Sequence, residues 1–185
     1  GLNENDMLYF GLAPEVETGI RAEAETGVIL EIGAAGHRMM AEIATRLCAD
    51  GGAMLAIDYG HVQTSFGETL QAMQHHLKVD PLDEPGEADI TAHVDFTSIA
   101  HAGVNHGLTL SGFCSQAQFL MNCGILNLMS QVSPNDMASY APLAAAAQKL
   151  LSPAEMGDLF KAIAFSKNID EPLMGFVSGD KSHTL

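Results

Sequence analysis

Basic side chains are scarce in this sequence: eight Lys plus Arg stand against 23 Asp plus Glu, a formal net charge of −15. Nucleic-acid backbones are held by clusters of Lys and Arg. No such cluster occurs, so nucleic acid is excluded as a partner. An anionic membrane surface is disfavoured on the same ground. Charge of either sign is thin, 17% of residues against 47% apolar. A single domain of 185 residues buries roughly 70% of its unfolded surface, and this composition leaves apolar surface to pack against another domain or subunit. The acidic excess suits a cationic partner, such as a basic protein segment or a sulfonium cofactor. It also serves solubility.

Cysteine is nearly as sparse. Cys48, Cys114 and Cys123 are odd in number, widely spaced and form no C-x-x-C, so neither a disulfide framework nor a structural zinc site is indicated. They read as buried or half-buried thiols in a reducing compartment. No apolar run approaches the ~20 residues of a membrane span. The first residues, Gly1 to Asp6, lack the basic and apolar regions of a signal peptide. They also lack an initiating Met, so the coding sequence is expected to begin upstream. No G-x-S-x-G elbow surrounds Ser65, Ser98, Ser111 or Ser115, and no G-x-G-x-x-G or P-loop occurs. Gly33-Ala-Ala-Gly36 is too short to stand in for one.

What is present alternates between strand and helix. Leu8 to Leu12 and Gly27 to Ile32 read as strands separated by a Pro/Glu/Thr-rich loop. Met39, Met40, Ile43 and Leu47 mark one face of a helix, which Gly51-Gly52 stops. Ala53 to Ile57 is continuously apolar, as expected of a central parallel strand buried on both faces. It ends in Asp58-Tyr59-Gly60-His61, and polar residues at that end of a strand face the crevice where open α/β sheets bind ligands. Residues 62 to 94 lack periodicity and read as a long functional loop. Asp95 is placed to cap a helix through about Asn105. Leu108 to Phe113 is a strand, Ser115 caps a short helix, and Gly124 divides it from the next. Pro142 to Leu151 is helical, and Ser152-Pro153 restarts a helix. Phe160 to Ser166 is a last strand, and the tail after Asn168 is irregular. The order implies α/β, with residues 1–32 a β-rich lead-in and 33–185 the main body.

Two constellations carry possible chemistry. Asp58, Tyr59 and His61 put an acid, a phenol and an imidazole at the mouth of a sheet crevice, with Gly60 allowing close backbone approach. The bland alternative is a strand end with an Asp turn. The second is the stretch with His75, His76, Asp80, Asp89, His93 and Asp95. Three histidines among carboxylates invite a metal. Yet no pair has H-x-x-x-H spacing, His75 and His76 are adjacent, and Asp95 is explained as a cap. No metal ligand is assigned, and the alternative is an acidic surface loop turned at Pro81 and Pro85-Gly86.

The residues Gly51-Gly-Ala-Met-Leu-Ala-Ile-Asp-Tyr-Gly-His61, Gly67-Glu-Thr-Leu-Gln-Ala72, Asp80-Pro-Leu and Pro85-Gly-Glu-Ala-Asp-Ile-Thr-Ala-His-Val-Asp-Phe96 resemble the MidA family of class I methyltransferases. The likeness continues through Gln116-Ala-Gln-Phe-Leu120 and Met156-Gly-Asp-Leu-Phe-Lys161. It implies a partial Rossmann-like sheet, the fifth to seventh strands of the family's fold with helical insertions, and a long active-site loop at 62–94. It implies S-adenosylmethionine as cofactor. The family's glycine-rich turn lies upstream of the matched residues, so no cofactor-binding residue is expected here. Mitochondrial members methylate an arginine and assist assembly of respiratory complex I. The implied partner is therefore a protein substrate with a basic residue, in a bacterial cytoplasm or a mitochondrial matrix. Asp58, Tyr59, His61, Asp89 and His93 fall on the acceptor side, with Glu31 and Asp95 as further carboxylates.

Two other readings stay open: a non-catalytic interaction module, and a metal-dependent hydrolase built on the His/Asp loop. A truncated sheet also implies that the chain needs its missing half or a second subunit, or that it pairs with itself as a homodimer.

Overall fold

The computed structural model describes residues 1–11 and 25–185. They fall into two compact units. One comprises Gly1–Ile32 with Ser65–His93, the other Gly33–Thr64 with Val94–Leu185.

The second unit is α/β. Its sheet contains β1 (Gly52–His61), β5 (Val94–Asp95), β6 (Thr109–Ser115) and β7 (Phe160–Lys167), in the order β5-β1-β7-β6. The last strand in the chain enters between β1 and β6 and runs antiparallel to both. The α/β class agrees with the partial Rossmann-like methyltransferase sheet that the resemblance implied; the reversed last strand was not anticipated. β7 alternates strictly. Ile163 and Phe165 face a cluster formed with Met40, Ala44, Phe96, Ala100, Leu108 and Phe113. Ala162 and Ala164 face a smaller one with Cys114 and Phe176. The period-2 geometry of a strand lets these eight residues serve both layers.

α1 (Ala34–Asp50) and α2 (Phe96–Asn105) cover the first face. In α1 the buried residues are Met40 and Ala44; Met39, expected on the same face, is 59% exposed. α2 begins as expected, because Asp95 accepts from the Ser98 N–H at 2.9 Å. Gly103 lets it sit against the sheet: a Cβ there would lie 2.4 Å from the Phe165 ring. α3 (Gln116–Asn122) is capped by Ser115, and left-handed Gly124 separates it from α4 (Ile125–Met129). α5 (Met137–Leu151) starts five residues before the expected Pro142, because Asp136 supplies its cap. Pro142 lies inside it. The restart at Ser152-Pro153 also moves. The Glu155 and Gly157 N–H groups both bond the Ser152 carbonyl, and this turn delays α6 to Met156–Leu159.

β1 departs from expectation. It is parallel only to β5, through Gly60 and His61, and antiparallel to β7 from Gly52 to Tyr59. Its second face is not closed: Leu55 is 49% and Ile57 42% exposed. The continuous apolar run reported burial of one face and an apolar surface on the other.

The first unit holds a three-stranded antiparallel sheet, β3-β2-β4, from β2 (Gln71–Gln74), β3 (Leu77–Val79) and β4 (Asp89–Thr91). The stretch read as a loop is thus partly a sheet. Its strands are too short for periodicity to register. His75 and His76 form the two-residue turn between β2 and β3 with φ of 50° and 65°. Such turns favour Asn-Gly. The expected strands Leu8–Leu12 and Gly27–Ile32 are absent as strands. Leu8 forms one bridge with Leu2, Leu12 lies outside the described residues, and Ile29 makes a single backbone bond with Gly67. Without a ladder, residue propensity alone does not make a strand.

Gly103→Ala should lower the unfolding free energy by about 1–3 kcal/mol through overpacking against Phe165, read as a lower urea midpoint. An unchanged midpoint contradicts the packing. Replacing His75-His76 with Asn-Gly should stabilise the hairpin by about 1 kcal/mol by relieving two left-handed residues. Slower amide exchange across residues 71–79 is the measurement.

Candidate functional site

Asp58, Tyr59 and His61 lie at the carboxyl end of β1, with Tyr59 and His61 on one face of the strand and Asp58 on the other. Asp58 is exposed, and its Oδ1 accepts from the Tyr59 N–H at 2.7 Å. The Tyr59 ring packs on Phe160, its cross-strand neighbour, with centroids 5.8 Å apart. Gly60 is required by sterics, since a Cβ there would lie 2.1 Å from the Val94 carbonyl oxygen. That close approach is what brings β5 onto β1 and fixes His61 opposite Asp95.

The segment after β1 is tied to the start of α2. Thr97 donates its hydroxyl to the Val62 carbonyl, and Thr64 donates to Asp95 Oδ2. Asp95 is therefore occupied by its cap and by Thr64. His37 Nε2 lies 2.5 Å from Ser98 Oγ, joining α1 to α2. Opposite Asp58 in the register stands Lys161, which motif reading missed. Its ammonium donates to the carbonyls of Asp158 (2.7 Å) and Leu159 (3.2 Å). Burial lowers its pKa, against the opposing pull of Asp158. The strand pairing, not any motif, reveals it.

Asp89 and His93 belong to the other unit. Asp89 is exposed on β4, opposite Met73. His93 joins a network around Glu31. One Glu31 oxygen accepts the N–H groups of Thr69 (2.9 Å) and Leu70 (3.0 Å), and the other accepts the Thr69 hydroxyl. Thr69 Oγ1 accepts in turn from the His93 N–H at 2.9 Å. Burial raises the Glu31 pKa, but the Thr69 and Leu70 hydrogen bonds and the charge of His93 outweigh it, so the carboxyl is held below its ordinary range. Glu31 thus organises residues 69–70 and 93.

Thiol chemistry finds no support. Cys114 is fully buried, and burial, with Asp180 and Cys123 adding to it, pushes its thiol up to about 11. Cys48 and Cys123 are exposed, contrary to the expected burial. Among the described residues no three His, Cys, Asp or Glu side chains converge as a metal site.

A sulfonium nucleoside would need a glycine-rich turn between a strand and a helix. Gly33 and Gly36 open α1, but among the described residues no strand leads into them. A Cβ on Gly33 would meet nothing, and one on Gly36 would press on Ile99 at 3.2 Å. Gly36 therefore serves helix packing. The described residues do not fit that cofactor.

An α/β sheet with its last strand reversed between two earlier ones, and polar residues at the end of β1, is a class I methyltransferase sheet. The family model described as "Putative S-adenosyl-L-methionine-dependent methyltransferase" matches residues 12–114, and the chain belongs to that family. The human mitochondrial protein arginine methyltransferase NDUFAF7 is 32% identical over 175 residues, 86% of this chain and 37% of that protein. The zebrafish protein (Danio rerio) is 35% identical over 139 residues, 75% of this chain and 30% of its own length. A Burkholderia thailandensis protein solved with S-adenosyl-homocysteine is 37% identical. The match covers all of this chain and 50% of that one, with a TM-score of 0.85. The chain thus spans about a third of these curated relatives.

Glu31 generates a pH prediction. Its carboxyl is depressed in the folded state, so the protection it gives is complete above the ordinary carboxylate value of 4.5 and is lost as pH falls through the lower folded value. Amide exchange at Thr69 and Leu70 should accelerate over that window. Glu31→Gln should accelerate it at neutral pH and flatten the pH dependence. Wild-type protection at pH 7 in the variant would remove Glu31 from this role.

Proposed function

We propose that this chain supplies the acceptor side of an S-adenosylmethionine-dependent protein-arginine methyltransferase. The observation that carries the reading is the exposed Asp58 carboxylate beside Tyr59 at the carboxyl end of β1, in a chain of this family. An arginine guanidinium stays protonated at neutral pH and is a poor nucleophile in that form. A carboxylate that accepts its N–H groups orients the nitrogen, favours charge on the far side of the group, and takes the proton as methylation proceeds. Asp58 has that role in the proposal. Tyr59 and His61, at the same strand end, shape the pocket. Cofactor binding is assigned to protein outside this chain, in the same polypeptide or a second subunit.

The relatives named as mitochondrial arginine methyltransferases support the acceptor chemistry. We extend the proposal to an acceptor protein of respiratory complex I assembly, in the mitochondrial matrix or the bacterial cytoplasm. The rival reading, a non-catalytic interaction module, is favoured by the lack of fit to the cofactor among the described residues.

Two measurements test the proposal. Calorimetric titration of the chain with S-adenosylmethionine should give no micromolar binding; such binding would overturn the cofactor assignment. In the product of the complete coding sequence, Asp58→Asn should slow methyl transfer to an arginine peptide by on the order of 10²-fold, with cofactor affinity unchanged. An unaltered rate removes Asp58 from that role, and absence of methyl transfer by the wild-type product supports the interaction module.

A further inference from the structure

The unit formed by Gly1–Ile32 and Ser65–His93 buries little of its own apolar surface. Among the described residues, Ala72 is its one buried hydrophobic side chain, while Met7, Leu77 and Ile90 are more than half exposed. The register of the three-stranded sheet sorts these residues by face. Ala72 stands opposite both Val79 and Ile90, and Gln74 stands opposite Leu77, so all five share one face. Successive residues of a strand alternate, and Lys78 and Asp89 fall on the other face.

A cavity of about 480 Å³ opens on that apolar face, lined by Met7, Gln74, Val79, Asp83, Glu84 and Ala88. Its composition is split. Met7, Val79 and Ala88 give an apolar floor, and Asp83 and Glu84 give an acidic rim. The rim is fixed from the sheet side, because Gln74 Nε2 donates to Glu84 Oε2 at 3.0 Å. Between Ser65 and His93 the sequence carries Glu68, Asp80, Asp83, Glu84, Glu87 and Asp89 against Lys78 as its one Lys or Arg.

We propose that this cavity is a docking pocket for an arginine side chain presented by a basic polypeptide. Arginine carries an apolar stem that packs on an apolar floor and a cationic head that stays at a polar rim. Its planar guanidinium offers five donors and engages carboxylates in pairs, which two adjacent acids on the rim can accept. A divalent cation would use the same carboxylates but not the floor, and would want more oxygen ligands. A purely apolar ligand would leave the rim carboxylates desolvated. The site does not depend on methyl-transfer chemistry, and it stands whether or not the chain takes part in that reaction.

The test is a titration of the full chain, followed by amide chemical shifts, with acetyl-Leu-Arg-Leu-amide and with the same peptide carrying citrulline, an isosteric but neutral side chain. The arginine peptide should saturate shifts at Val79, Glu84 and Ala88 and bind at least tenfold more tightly than the citrulline peptide. Asp83→Asn with Glu84→Gln should bring the two peptides to the same weak affinity, with the remaining shifts of the folded chain unchanged. Added salt should weaken the arginine peptide alone. Equal binding of the two peptides, undiminished binding in the double variant, or shifts confined to other residues would each overturn the proposal. A lysine peptide bound as tightly would overturn the assignment to arginine, and calcium bound more tightly than the peptide would overturn the assignment to a side chain.

Discussion

The fold of the larger unit depends on how β7 is placed. It runs between β1 and β6 and is antiparallel to both, so its backbone satisfies two ladders at once. Its side chains divide between two layers: Ile163 and Phe165 into the helix-covered face, Ala162 and Ala164 into the smaller cluster. The division of sizes has a physical reason. The face under α1 and α2 admits large side chains because Gly103 yields room to Phe165. On the opposite face, positions 162 and 164 of β7 are alanines, because Phe176 fills the space above them. Asp58 and Tyr59 are positioned through this strand, held in register by Lys161 and Phe160.

The carboxylates brought forward by the sequence divide into two kinds. Asp95 and Glu31 accept hydrogen bonds from backbone N–H groups and threonine hydroxyls. A carboxylate so engaged is stabilised in its charged form and has little capacity left for a ligand. Asp58 and Asp89 are exposed, and Asp58 is bonded only locally to the N–H that follows it. The first set rigidifies the segments that carry it, and the second keeps its oxygens open to solvent.

Much of this was legible in the residues, and the misses have identifiable causes. Asp95 and Ser115 read correctly as caps because a cap is a local interaction, settled within three residues. β7 read correctly because its apolar run is long and ends at a charge. β1 was misread on its second face, since a continuous apolar run does not tell a buried face from an exposed apolar one. The β2–β3 hairpin escaped notice because His-His occupies a turn that normally declares itself with Asn-Gly. Gly27 to Ile32 has strand composition but no partner strand among the described residues, and pairing is a tertiary property. At the candidate site, Asp58, Tyr59 and His61 were legible from position at a strand end. Lys161 and Thr64 were not, because strand register and segment contacts brought them there.

The two margins of the four-stranded sheet are treated differently. Along β6, the tail supplies what a further strand would: the Asp180 carboxylate accepts from the Phe113 N–H at 2.8 Å, and the Lys181 backbone N–H donates to the Phe113 carbonyl at 2.7 Å. Burial raises the Asp180 pKa, but bonds from Ser182 and Phe113 with the charge of His183 lower it further, so the side chain stays an acceptor below the usual carboxylate range. A charged side chain closing an edge is a local, directional solution that leaves no ladder for another chain to join. Along β1, among the described residues, pairing on the side away from β7 is confined to Gly60 and His61. Those two residues immediately follow Asp58 and Tyr59. The closed stretch of that margin is therefore the one that steadies the candidate site, and the contact that closes it is the one that only glycine at position 60 allows.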